Sequence, residues 1–158
     1  MDGTHGTFET YPLNFIAYDN PTIEMLEFLH KHGANLEARD ECGYTPLIIA
    51  AQCADRLMVD FLIKRGANVN AADLDGIPPI CQTASEDVAQ LLIEAGAELE
   101  GQVGKTGYTI EEYITRECGD HHPEIPALVS LHLAKREKTR LEACLGAPEG
   151  KPVRKQKL

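Results

Sequence analysis

No window of the 158 residues holds the roughly 18 consecutive apolar residues that a membrane-spanning helix requires, so a transmembrane class is not expected. The opening residues Met1 to His5 carry neither a basic region nor an apolar stretch, and a secretory signal is therefore not expected either. For an unprocessed chain this points to the cytoplasm, with the nucleus as the alternative. Paired cysteines are lacking too. Cys42, Cys53, Cys81, Cys118 and Cys144 are odd in number and scattered, which argues against a disulfide framework and suits a reducing compartment. Positive charge is scarce over most of the chain. Residues 1–130 hold 7 Lys and Arg against 22 Asp and Glu, a net −15, whereas residues 131–158 hold 8 against 3, a net +5. An acidic body repels nucleic acid at long range and attracts basic partners. The basic end is the one part suited to RNA, an acidic protein or a membrane surface, although a solvated tail is the plainer reading.

What is present is ordinary in amount and unusual in order. The apolar fraction of 43% suffices for a core, and the length suits one domain. Three phrases recur: His32-Gly33-Ala34-Asn35-Leu36-Glu37-Ala38, Arg65-Gly66-Ala67-Asn68-Val69-Asn70-Ala71 and Ala95-Gly96-Ala97-Glu98-Leu99-Glu100-Gly101. Their glycines are spaced by 33 and then 30 residues. Each phrase follows an apolar helical stretch. A second phrase, Asp40-Glu41-Cys42-Gly43-Tyr44-Thr45-Pro46-Leu47, returns as Asp73-Leu74-Asp75-Gly76-Ile77-Pro78-Pro79-Ile80 and, weakly, as Gly104-Lys105-Thr106-Gly107-Tyr108-Thr109-Ile110.

These residues have mechanical roles. Gly43, Gly76 and Gly107 allow the positive φ of tight turns. Thr45 is placed to cap a helix with Pro46 in its first turn, and Asn20-Pro21 reads the same way earlier in the chain. Thr109 with Glu112 forms a candidate capping box. Gly33, Gly66 and Gly96 sit where a left-handed residue ends a helix. Each unit thus reads as turn, short helix, second helix, glycine stop and extended segment, and such units bury their apolar faces only by stacking. The small pair Ala50-Ala51, matched by Ala84 one unit on, lets first helices approach closely.

Thr45-Pro46-Leu47-x-x-Ala50-Ala51 followed by Val59-x-x-Leu62-x-x-x-Gly66-Ala67-Asn68-Val69-Asn70-Ala71 resembles the ankyrin-repeat consensus over a full repeat, residues 40–72. Residues 73–103 match with a shorter inter-helix loop. Residues 8–39 match in their second helix, with Pro12-Leu13 in place of the usual start. Residues 104–118 match only the beginning of a unit. The resemblance implies an all-α ankyrin-repeat solenoid over 8–118, with hairpin loops between stacked helix pairs. Two departures stand out. Ile48 replaces the family's usual His, removing an inter-repeat hydrogen bond, and Pro78 replaces the Thr cap, so the third repeat should be less regular than the second.

After a break at Gly119 to Pro123, residues Pro126 to Cys144 read as one helix with an apolar stripe through Ala127, Leu128, Leu131, Ala134 and Leu141. Its first turns are expected to cap the last repeat and its charged later turns to project into solvent. Residues 119–145 thus form a capping region, and 146–158 a flexible basic tail.

Chemistry is sparse. Cys118, His121 and His122 are zinc-type ligands, but a fourth ligand at a standard spacing is missing, so no metal is assigned. No cysteine is placed beside a histidine with an orienting group. Gly101-Gln102-Val103-Gly104-Lys105-Thr106 misplaces the first glycine of a P-loop. Asn70 fits the ankyrin pattern that an asparagine hydroxylase accepts, but it also simply fits the repeat consensus. Gln156-Lys157-Leu158 is a poor peroxisomal ending, and Lys151 to Lys157 is a candidate nuclear-entry segment. Neither catalysis nor a cofactor is expected.

The resemblance also implies where partners meet the chain: at the hairpin tips and the exposed side of the first helices. By position, the second repeat supplies Glu41, Cys42 and Tyr44, with Gln52 and Cys53 at its first-helix end. The third repeat supplies Leu74, Asp75, Ile77 and Ser85, and the last unit Lys105, Thr106 and Tyr108. Tyr44, Ile77 and Tyr108 form an apolar ladder with steps of about 10 Å, flanked by Glu41 and Asp75, which suits a basic, partly apolar protein partner. The expected role is a monomeric adaptor or inhibitor, for instance an immunity-type inhibitor of a basic toxin or enzyme. The competing role is a subunit that docks through its basic C-terminal helix and tail.

Overall fold

The computed structural model describes residues 12–19, 21–118 and 121–145, with the backbone alone at Cys118. The expected tail, 146–158, lies outside the described residues. Seven α-helices and one 3₁₀ turn follow one another among the described residues. They are α1 (Pro12–Ile16), α2 (Ile23–Lys31), α3 (Pro46–Gln52), α4 (Arg56–Lys64), the 3₁₀ turn Pro79–Cys81, α5 (Glu86–Glu94), α6 (Ile110–Cys118) and α7 (Glu124–Leu145). There is no strand among them, only an isolated bridge between Gln102 and Thr109. The all-α solenoid expected from the sequence is what is found.

The helices form two layers. α1 packs on α3, α3 on the 3₁₀ turn, and the turn on α6, giving the first-helix layer. α2 packs on α4, α4 on α5, and α5 on α7, giving the second. One core runs the length of the stack and includes Leu13, Leu26, Leu47, Met58, Leu62, Ile80, Leu92, Leu99, Ile114 and Ile125. Each fully buried leucine or isoleucine contributes about 1.5–3 kcal/mol relative to exposure.

Local chemistry sets the helix starts. The Thr45 hydroxyl accepts from the Ile48 amide at 3.3 Å, with Pro46 in the first turn. Thr109 and Glu112 close a reciprocal capping box: the Thr109 amide donates to Glu112 at 2.9 Å, and the Glu112 amide to the Thr109 hydroxyl at 3.2 Å. The Asn20 expectation fails. α2 begins at Ile23, and its cap is Thr22, which accepts from the Met25 amide at 3.4 Å. Gly33, Gly66 and Gly96 end their helices at φ +85°, +90° and +94°.

The third unit departs further than its sequence indicated. Pro78 offers no side-chain cap, and its first helix shrinks to the three-residue 3₁₀ turn. Ala84, expected to match Ala51 in close packing, is exposed beyond that turn, and Thr83 is the buried residue instead. Cys53 is the exposed C-cap of α3, at the end of the first helix as expected. α7 does more than cap. It pairs with α6 as the second helix of a fourth unit, burying Ile125 and Val129, and leaves residues 134–145 exposed.

Candidate functional site

The first two hairpins are each built around one carboxylate. Asp40 accepts from the amides of Cys42 and Tyr44 at 2.9 and 2.8 Å; Asp73 accepts from those of Asp75 and Ile77, both at 2.9 Å. Two amides tied to one carboxylate leave a short turn little freedom. The third hairpin is one residue longer, and the Thr106 hydroxyl does some of this work by accepting from the Tyr108 amide at 3.2 Å. The Gly104-Lys105-Thr106 segment is therefore a hairpin tip.

The tips are also locked to one another. The Leu74 amide donates to the Cys42 carbonyl at 3.3 Å. A Cβ on Gly76 would lie 2.6 Å from Gly104 Cα, so only glycine permits that contact. Behind the tips, Arg39 donates to the Gly43 and Ala72 carbonyls at 2.9 and 2.6 Å, joining units 33 residues apart. Glu37 accepts from the Asn68 amide at 2.7 Å, and Asn70 repeats the contact by accepting from the Glu98 amide at 2.9 Å. Asn70 thus has a structural task. Asn14 takes the place of the family's usual His in the first unit and donates to Tyr44 O at 2.7 Å and Ala38 O at 3.3 Å. Ile48, at that place in the second, is fully buried.

The proposed contact residues fall along this row. Glu41, Cys42, Leu74, Asp75 and Lys105 are exposed at the tips, Leu74 to 74%. Tyr44 and Ile77 are half-buried against the core, whereas Tyr108 is exposed, with Arg116 over its ring at 5.4 Å. Gln52 and Ser85 are half-buried and Cys53 is exposed. Gln52 donates to Gln82, which donates in turn to Asp73 at 2.9 Å and to the Ile77 carbonyl at 3.0 Å. These glutamines edge an open cleft of about 440 Å³ that also meets Thr83, Tyr113, Glu117 and His122.

Sequence reasoning missed Tyr18 and Gln82. Partial burial, then the Asp40 carboxylate and, more weakly, Cys53, Tyr44 and Cys42, push the Tyr18 phenol above its usual value. That places Tyr18 beside the first tip on the same surface. The signal was available, since Tyr18 stands one repeat before Gln52 at the end of its first helix. His122 meets Glu124 at 3.1 Å, and among the described residues no three metal-binding side chains converge.

A family model for ankyrin repeats (3 copies) matches residues 2–73. No curated protein matches the chain. Beyond the matched residues, the same pairing of a short first helix with a longer second one continues to α7. The period, the glycine stops and the two-layer stack agree with that match, so residues 2–73 are similar to ankyrin repeats and the stack continues in the same architecture beyond them.

Proposed function

We propose that the chain is a non-enzymatic protein-binding module that grips its partner along the hairpin row and the adjoining ends of the first helices. Ankyrin repeats generally mediate protein–protein interaction. The observation that carries the reading here is the locked row itself. Leu74 is exposed on a hairpin hydrogen-bonded to the one before it, and Tyr108 on a hairpin packed through Gly104 against Gly76, with Glu41 and Asp75 beside them. Apolar groups held on a rigid frame lose little entropy on binding, which is what binding anchors require. The acidic flank favours a basic, partly apolar segment, and an adaptor or an inhibitor of a basic protein both fit. Affinity capture from the native source should retrieve a partner with the wild type and lose it with the Leu74→Ser/Tyr108→Ala variant. Each anchor should cost about 1 kcal/mol or more. Undiminished capture by the folded variant sinks the reading.

A second reading rests on the far half of α7. Leu131, Leu141 and Leu145 are exposed there beside Lys135, Arg136, Lys138 and Arg140. This arm suits an acidic surface, and binding through it is expected to weaken steeply with salt.

A further inference from the structure

Equivalent residues of the described units differ in exposure along the stack. α2, α4 and α5 share one register, so Met25, Met58 and Val88 occupy equivalent positions, as do Phe28, Phe61 and Leu91. Met58 and Val88 are 0% exposed and Phe61 6%, but Met25 is 50% and Phe28 60% exposed. The first described unit thus presents Phe28 and Met25 on a flank that the later units bury.

The interior units show which flank this is. Phe61 meets His30 of the preceding unit edge-on at 6.1 Å. Arg65 reaches back to Glu27 at 3.7 Å, and Asp87 receives Arg56 from the unit before it at 3.6 Å. In the first unit the positions equivalent to Phe61, Arg65 and Asp87 are Phe28, His32 and Glu24, one unit before the first two and two units before Asp87. These three therefore lie on the flank that a preceding unit would cover.

We propose that this flank is a self-association surface, covered by the same flank of a second copy of this chain across a two-fold axis. The charge pattern favours that occupant. Glu24 lies four residues before Phe28 and His32 four residues after it. Antiparallel α2 helices that meet at Phe28 bring Glu24 opposite His32 of the second copy, twice over, with Lys31 adjoining. The His32 ring is already held, stacked on Phe28 with centroids 4.0 Å apart and its Nδ1 2.7 Å from the Phe28 carbonyl, so Nε2 is left to meet a carboxylate. The buried centre is aromatic and the rim is paired charge, as association surfaces require. This goes beyond the partner-binding proposal and departs from the monomer expected from sequence. It uses a different surface, so its failure leaves the hairpin-row reading intact.

The test is the mass of the full chain in solution by sedimentation equilibrium, from low micromolar to millimolar concentration. The mass should rise toward twice that of one chain. Phe28→Glu, an exposed change to a good helix former, should hold it at one. Glu24→Lys alone should weaken association by roughly tenfold, and Glu24→Lys with His32→Glu should restore it. Three results overturn the proposal. One is a single-chain mass at every concentration. Another is a dimer that survives Phe28→Glu. The third is amide protection of α2 that does not vary with concentration, which assigns the cover to residues 1–11 of the same chain.

Discussion

The second repeat, residues 40–72, and the third, 73–103, build their hairpins alike and their first helices differently. Asp40 and Asp73 hold the same two amides at nearly the same distances. Thr45 and Pro78 even share their backbone angles, φ −85° and ψ 162° against φ −78° and ψ 163°. Yet Thr45 opens a seven-residue helix and Pro78 a three-residue turn. The proline matches the conformation of a cap but lacks its hydroxyl, and the loop that follows is shorter. A repeat thus tolerates loss of a first-helix cap when its neighbours bury the remaining apolar residues, here Ile80 and Cys81.

The largest effect that sharpens this contrast is a cavity. Leu62→Ala in the second repeat should cost roughly 2–5 kcal/mol by urea denaturation. Leu92→Ala should cost less, because a looser unit collapses more fully around the void. Equal losses would break the comparison. Next are the glycines. At Gly66 an added Cβ meets nothing within 4 Å, so Gly66→Ala should cost about 1–2 kcal/mol for its φ of +90° alone. At Gly104 it would overlap the Asp75 carbonyl oxygen, so Gly104→Ala must also push neighbouring hairpins apart and should cost more. Thr45→Ala should lose about 1 kcal/mol, and Pro78→Thr should gain about 0.5–1 kcal/mol by supplying the missing cap, both read from denaturation midpoints. The smallest effect depends on pH. The Thr109 amide, and then its hydroxyl, hold the Glu112 carboxyl below its usual range. A depressed carboxyl stabilises the fold above its unfolded value, and that contribution is lost as pH falls through the folded one. Amides of α6 should therefore exchange faster, relative to α4, below about pH 4. Thr109→Ala removes the hydroxyl and keeps the amide, so that acid sensitivity should lessen, whereas in Glu112→Ala it should disappear.

Much of the fold was legible because its signals are local. Thr45, Thr109 and the three glycine stops act within a turn of where they stand, and each behaves as its sequence context indicated. Ala84 misled because its role depended on a helix that Pro78 does not start. Asn20 misled because a capping residue two positions on, Thr22, takes the role. In the candidate site, the turns were legible from the repeated glycines, and the resemblance to ankyrin repeats pointed to their tips. Tyr18 and Gln82 were not legible, since their place on the surface depends on neighbouring units.

The sequence by itself determined the period, the turns and the glycine stops, since each follows from the chemistry of residues a few positions apart. Only the tertiary structure decided what equivalent residues do. Phe28 and Phe61 hold the same place in their repeats, yet one faces water and the other is enclosed. Burial is a property of what stands alongside, and no residue carries that information in its own repeat.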